Sequence, residues 1–296
     1  MPPLSATDPT SVTRDLLRSW RLPKPSGGKE DRGRVLVIGG SAETPGGALL
    51  AAEAALRAGA GKLQVATARS VAAAVAVALP EAMVRGLPEL PAGAVSPAAA
   101  EELLDLVEQA DCVLLGPGLA DPEASARLVL ALTHRLPDRV VVDALALAAV
   151  TEQPEFLRGR RHAVLTPNPG ELAHSLGLPA EAVPDDPAGC ARALAERTNG
   201  VVSLGGATSW TAAPDGRLWR DDGGSAGLGV SGSGDVRAGL VAGLLARGCD
   251  PAQAAVWGAY VHGAAGERLA GSVGPSGFLA RELPGQVPGL LAEIAG

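Results

Sequence analysis

The stretch RVLVIGGSAETPGGALLAAEAALRAGAGKLQVAT, residues 34–67, decides the fold class. Residues 34–39 form an apolar, β-branched run bounded by glycine, the pattern of a strand buried on both faces. Small and apolar residues then predict a helix over about 46–58, behind a proline suited to a helix start, and KLQVAT at 62–67 returns to strand character. Strand, helix and strand in one span make a parallel βαβ unit. The alternation continues outward, with strands expected at 112–116, 139–144, 163–167 and 200–205, and helices at about 70–79, 97–109, 121–135 and 188–198. The expected fold is therefore α/β, a mostly parallel central sheet with helices on both faces. From 233 the pattern changes to two consecutive helices, SGDVRAGLVAGLLARG and PAQAAVWGAYVHGAAGERLA, parted by a Gly-Cys-Asp-Pro turn. Residues 1–30 read as an N-terminal helix and connection, and 31–296 as a single domain.

Composition supports a folded chain and excludes several classes of function. The 296 residues are 47% hydrophobic, enough for a sizeable core, while aromatics at 2% leave Ala, Val and Leu to fill it. A net charge of −7 with no basic cluster argues against a nucleic-acid partner. The sequence lacks an apolar run long enough for a membrane span, so a cytoplasmic location is expected. Cys112, Cys190 and Cys249 are odd in number and lie in apolar contexts, which predicts buried thiols without disulfides. The lysines are Lys24, Lys29 and Lys62, so a phosphate site in the second half must use backbone amides, arginine or a metal.

The strongest chemical signal is GLGVSGSGDVRAGLVAGLL at 227–245, a small-residue loop running into a helix. Unpaired amides at such a helix start carry the positive end of the dipole and can hold phosphate, and glycine lets the phosphate approach. Gly232, Ser233 and Gly234 are the candidate anion hole. Asp235 would stand beside it, placed to take a proton from a hydroxyl during phosphoryl transfer. A Gly-Asp pair taken alone is more often a simple helix cap. The loops LLGPGLAD at 114–121, VLTPNPGEL at 164–172 and VIGGSAETPGG at 37–47 add weight, because each follows a strand and such ends line one crevice in an open α/β sheet.

Taken in order, GRVLVIGGSAETPGGALLAAEAALRAGAGKL, LLGPGLA, VVVDALAL, VLTPNPGELAHSLG, SGSGDVRAGLVAGLLARG and VGPSGFLAREL resemble the ADP-dependent NAD(P)H-hydrate dehydratase family of the ribokinase-like superfamily, over roughly 30–285. The resemblance implies dehydration of the S form of hydrated NADH or NADPH. The substrate hydroxyl is phosphorylated at the expense of ADP, or alternatively ATP, and phosphate is then eliminated. It further implies Mg²⁺, substrate contacts at Ala48, Gly118, Asn168 and Asp235, and nucleotide contacts at Leu204, Gly205, Gly206, Ala207, Thr208 and Gly234. A homotetramer and a separate epimerase for the R form are implied in the same way; the metal ligands are left unassigned.

The chain departs from the family at five positions: Asn168 for His, Leu204 for Lys, Leu145 for Asp, Ser225 for Asn and Val230 for Thr. Arg220 and Arg237 are candidates to replace the missing phosphate-side lysine. Two other readings stay open: a small-molecule kinase of the hydroxyethylthiazole kinase type, which would leave a stable phosphate ester, and a catalytically weak nucleotide-binding paralogue. Product analysis and direct turnover discriminate among the three.

Overall fold

The structure, a computed structural model, describes residues 8–24 and 27–295. Residues 1–7 and 25–26 of the expected leading helix and connection lie outside the described residues. Ten strands form one sheet: β1 (Thr10–Ser11), β2 (Arg34–Ile38), β3 (Lys62–Ala68), β4 (Ala82–Leu87), β5 (Cys112–Leu115), β6 (Arg139–Val142), β7 (His162–Leu165), β8 (Val201–Leu204), β9 (Ser209–Ala212) and β10 (Leu218–Asp221). Their order is β1-β10-β9-β8-β7-β6-β5-β2-β3-β4, and β9 alone runs against its neighbours. The mostly parallel α/β fold read from the sequence is thus present.

The helices are α1 (Arg14–Ser19), α2 (Pro45–Arg57), α3 (Ala72–Ala78), α4 (Ala99–Gln109), α5 (Pro122–Leu132), α6 (Ala148–Glu152), α7 (Pro169–Leu176), α8 (Ala182–Asp185), α9 (Pro187–Thr198), α10 (Ser233–Ala246), α11 (Pro251–Ser272) and α12 (Leu283–Ala295). Local chemistry starts many of them. Asp121, Asp186 and Asp250 each accept a backbone amide at the head of α5, α9 and α11, with proline following. Such caps are worth about 1 kcal/mol each. No helix among the described residues is long and apolar enough to cross a membrane.

Side chains alternate across each strand, so the sheet divides the core into two apolar layers. One holds Val35, Val37, Leu114 and Val141 with α2, α10, α11 and α12; the other holds Leu36, Ile38, Val113 and Val140 with α4, α5 and α9. Helix α10 is buried on nearly all sides between the sheet and its helical neighbours. It lies against α2 through Gly239 and Gly243, whose absent side chains let the two backbones close up. The N-terminal segment joins this body: Leu17 is fully buried, Trp20 stacks on Trp219 at 5.6 Å, and Trp257 Nε1 donates to the Trp20 carbonyl at 3.0 Å. Cys112, Cys190 and Cys249 are buried free thiols, as expected.

Candidate active site

Strands β2 and β3 lead away from β5 in one direction and β6, β7 and β8 in the other. The C-terminal ends on either side of that reversal open into a crevice. At the reversal the turns after β2 and β5 are tied together: Gly40 N donates to Pro117 O at 2.8 Å and Gly116 N to Ile38 O at 3.0 Å. Thr44 Oγ1 donates to Gly118 O at 2.8 Å, which holds the start of α2 against the same turn. A Cβ on Gly47 would stand 2.7 Å from Gly118 N and 3.2 Å from Asp235 Oδ1. The start of α2, the turn at Gly118 and the first turn of α10 therefore meet at one point.

Asp235 sits there in an unusual electrostatic setting. Burial, and then the charge of Glu171, push its carboxyl up to about 6. Asp143, at the end of β6, is buried more deeply; desolvation and then Asp235 raise it well above the usual carboxylate range. Thr166 Oγ1 donates to Asp143 Oδ1 at 2.7 Å. Burial raises Glu171 too, opposed by the Asn168 amide and by Arg237. A carboxyl raised to about 6 at the edge of a crevice meets the condition of a usable base.

Behind Asp235 lies a cavity of about 650 Å³, walled on one side by Gly205, Gly206 and Ala207 after β8 and on the other by Ser233 and Gly234 of α10. Gly232 precedes α10 with φ +87°, and a Cβ on it would lie 2.4 Å from Leu50 Cδ1, so this turn requires glycine. Ser233 Oγ lies 2.9 Å from His262 Nε2, and burial holds that imidazole well below the ordinary histidine value, hence neutral. The cavity wall thus brings Ser233 and Gly234 of the expected anion hole together with Gly205, Gly206 and Ala207 of the expected nucleotide stretch, while Gly232 does not line it. Gly234 has no atom within 4 Å of a built Cβ. Gly234→Val should therefore fold normally and block phosphate entry; ADP affinity retained by a folded variant, measured by calorimetry, would move the phosphate elsewhere.

Other expected positions fall differently. The Leu204 side chain, 2% exposed, packs in the apolar layer on the α9 side of the sheet and does not line the cavity. The two-residue period of β8 turns it away, so a lysine at 204 would be buried among apolar groups rather than beside phosphate. Thr208 also lies off the cavity wall, donating to Asp222 Oδ1 at 2.9 Å. Ala48 is fully buried, with the Gly39–Gly40 turn packed over its methyl. Asn168 is exposed, and its Oδ1 is taken up in a capping box with Glu171 at the head of α7. Of the departures, Ser225 and Val230 line the cavity, whereas Leu145 packs with the apolar layer.

Asp143 and His262 escaped the sequence reading. Asp143 stood inside the quoted VVVDALAL block, where a polar residue at the end of an apolar strand was the available signal. His262 is a lone histidine in a small-residue helix and offered none. Among the described residues no three His, Cys, Asp or Glu side chains are grouped to hold a metal. A resident protein cage does not fit; Mg²⁺ carried on nucleotide phosphates with its own waters does not need one.

A mostly parallel sheet with a glycine-led helix start, a carboxylate beside it and a cavity under that helix defines a ribokinase-like α/β protein. The family model described as NAD(P)H-hydrate dehydratase matches residues 35–288. The chain belongs to that family. It is 49% identical over 285 residues to the ADP-dependent (S)-NAD(P)H-hydrate dehydratase of Xanthomonas campestris pv. campestris, covering 96% of each chain. It is 39% identical to the bifunctional NAD(P)H-hydrate repair enzyme of Moorella thermoacetica, matching 95% of this chain and spanning 54% of that longer protein. The ADP/ATP-dependent NAD(P)H-hydrate dehydratase of Bacillus subtilis, co-crystallized with ATP/Mg²⁺, superposes with a TM-score of 0.82 at 28% identity, covering 98% of this chain and all of that one.

Proposed function

We propose that the chain removes water from the S form of hydrated NADH or NADPH using ADP, restoring the dihydronicotinamide. The observation that carries this reading is Asp235, a carboxyl poised at about 6 between the substrate-side turn at Gly118 and the anion cavity under α10. The hydrated ring would lie at the switch point with its hydroxyl toward Asp235. ADP would enter the cavity along Gly205–Ala207 and Gly234. Asp235 takes the hydroxyl proton as the oxygen attacks the terminal phosphoryl group and AMP leaves. The amides of Gly232 and Gly234 would face the charge that develops on the transferred group, that of Ser233 donating instead to the Val230 carbonyl at 3.2 Å. Loss of phosphate then breaks the carbon–oxygen bond, and loss of a ring proton completes the double bond.

Mg²⁺, brought in on the nucleotide, would neutralise phosphate charge. A homotetramer and a separate epimerase acting on the R form complete the proposal. The test is incubation with S-NADHX, Mg²⁺ and either ADP or ATP, following dihydronicotinamide absorbance. Recovery with release of inorganic phosphate supports dehydration; a stable phosphate ester without recovery supports a kinase of the hydroxyethylthiazole type.

The electrostatics give a sharper check. Glu171 raises the Asp235 carboxyl through its negative charge, so Glu171→Gln should lower it. Glutamine keeps the capping box. The acid limb of kcat/KM, expected near pH 6 in the parent, should therefore move to lower pH in the variant. A limb that stays in place would separate Glu171 from the base.

A further inference from the structure

The cavity has an asymmetry in charge. Among its described lining residues there is no Asp or Glu, and Arg237 is the only Lys or Arg. Arg237 is 5% exposed, a burial that costs a cation much of its hydration. Its Nη2 donates to the carbonyls of Thr166 at 3.0 Å and Pro167 at 3.2 Å, which fixes one edge of the fork. Its Nε is buried with no hydrogen-bond partner among the described residues. The other edge lies under Gly205: a Cβ built there would stand 2.7 Å from the guanidinium carbon. Gly205 is itself the first residue of the cavity wall after β8, and its amide donates to Pro167 O at 3.1 Å.

A cation buried on the wall of a ligand-sized cavity that carries no carboxylate is costly unless a ligand offsets its lost hydration. The ligand that does so is an anion, because the neighbouring helix start offers the Gly234 amide, the Ser233 amide being taken by the Val230 carbonyl at 3.2 Å, and no carboxylate competes on the wall. We propose that Arg237 is the nucleotide-binding cation of this site, reaching the phosphates from α10 through the gap that Gly205 leaves open. The inference rests on the reading of the cavity as the adenine nucleotide site. Arginine suits the position because its fork can grip the two carbonyls and a phosphate oxygen at once, whereas a lysine offers a single point of charge. Burial lowers the Arg237 guanidinium from its usual range, and Asp143 and Glu171 on the far side oppose that shift.

The experiment measures ADP and adenosine affinity by calorimetry on the full chain. In Arg237→Gln, ADP should weaken about tenfold or more while adenosine changes little, the size of a charge-assisted contact to phosphate. Arg237→Lys should recover part of the loss. Gly205→Ala keeps every charge but crowds the guanidinium, and it should also weaken ADP selectively; this variant and Arg237→Lys carry the test if Arg237→Gln does not fold. Equal weakening of ADP and adenosine, or unchanged ADP affinity in folded variants, would reduce Arg237 to a brace for the 166–167 turn and overturn the proposal. Failure of the unaltered protein to bind ADP at all would instead sink the nucleotide reading on which it stands.

Discussion

Asp235→Asn is expected to fold and to bind ADP nearly as the parent does, while dehydration falls by about two to four orders of magnitude, the range for loss of a general base. Asparagine keeps the size of the side chain but cannot accept the hydroxyl proton. Ionisation supplies the second half of the expectation. The parent carboxyl is raised to about 6, so the active, ionised form dominates above that pH and is lost as pH falls through it. The parent should therefore show an acid limb in kcat/KM near pH 6, and the residual activity of Asp235→Asn should not. Turnover close to that of the parent, or the same limb in the variant, would remove Asp235 from the chemistry.

Gly239→Val should cause the largest loss of stability. A Cβ at Gly239 would stand 2.1 Å from the Ala51 carbonyl oxygen, and one at Gly243 2.4 Å from that of Ala55. Both obstacles are backbone of α2, which cannot rotate away as a side chain would, so the helices must separate. Overpacking of this kind costs about 3 kcal/mol or more. Denaturant unfolding measures the loss, with Gly271→Ala as the control, since a Cβ there has no neighbour within 4 Å. A helix interior generally gains about 0.5–1 kcal/mol from that exchange. Equal stabilities for the two variants would show that the α2–α10 seam is not held by its glycines. Separation of the helices would also move Gly47 away from Asp235, so Gly239→Val should lose activity even where it remains folded.

Most of the sheet was legible because its central strands are buried on both faces and their apolar runs are uninterrupted. Strand β4 was missed for the complementary reason: Arg85 and Gly86 break its run, and it lies at the sheet edge, where burial does not demand an apolar residue at each position. Strands β9 and β10 were missed although Pro214-Asp215-Gly216 between them is a turn signal, because a short hairpin does not fit the βα rhythm of the rest. Helix α12 carries Pro284, Gly285, Pro288 and Gly289, which hide a helical pattern that packing nonetheless enforces. In the site, the glycine-led start of α10 could be read from local sequence because its chemistry is local. The orientation of Leu204 could not, because it depends on which face of β8 meets α9. Arg237 could be named only as one of two candidate cations, and Asp143 not at all, because both matter through neighbours distant in the chain, a relation that residue spacing does not encode.

The mutual hydrogen bonds between the turns after β2 and β5 join segments on opposite sides of the point where the sheet reverses its winding. Mechanically they act as one clasp: lengthening either turn breaks its bond to the other and displaces both walls of the crevice together. The outline of that pocket is consequently set as a single piece. Shifts of ligand preference on this scaffold are then expected to come from side chains projecting into a fixed frame, and an insertion in either turn is expected to disturb both walls at once.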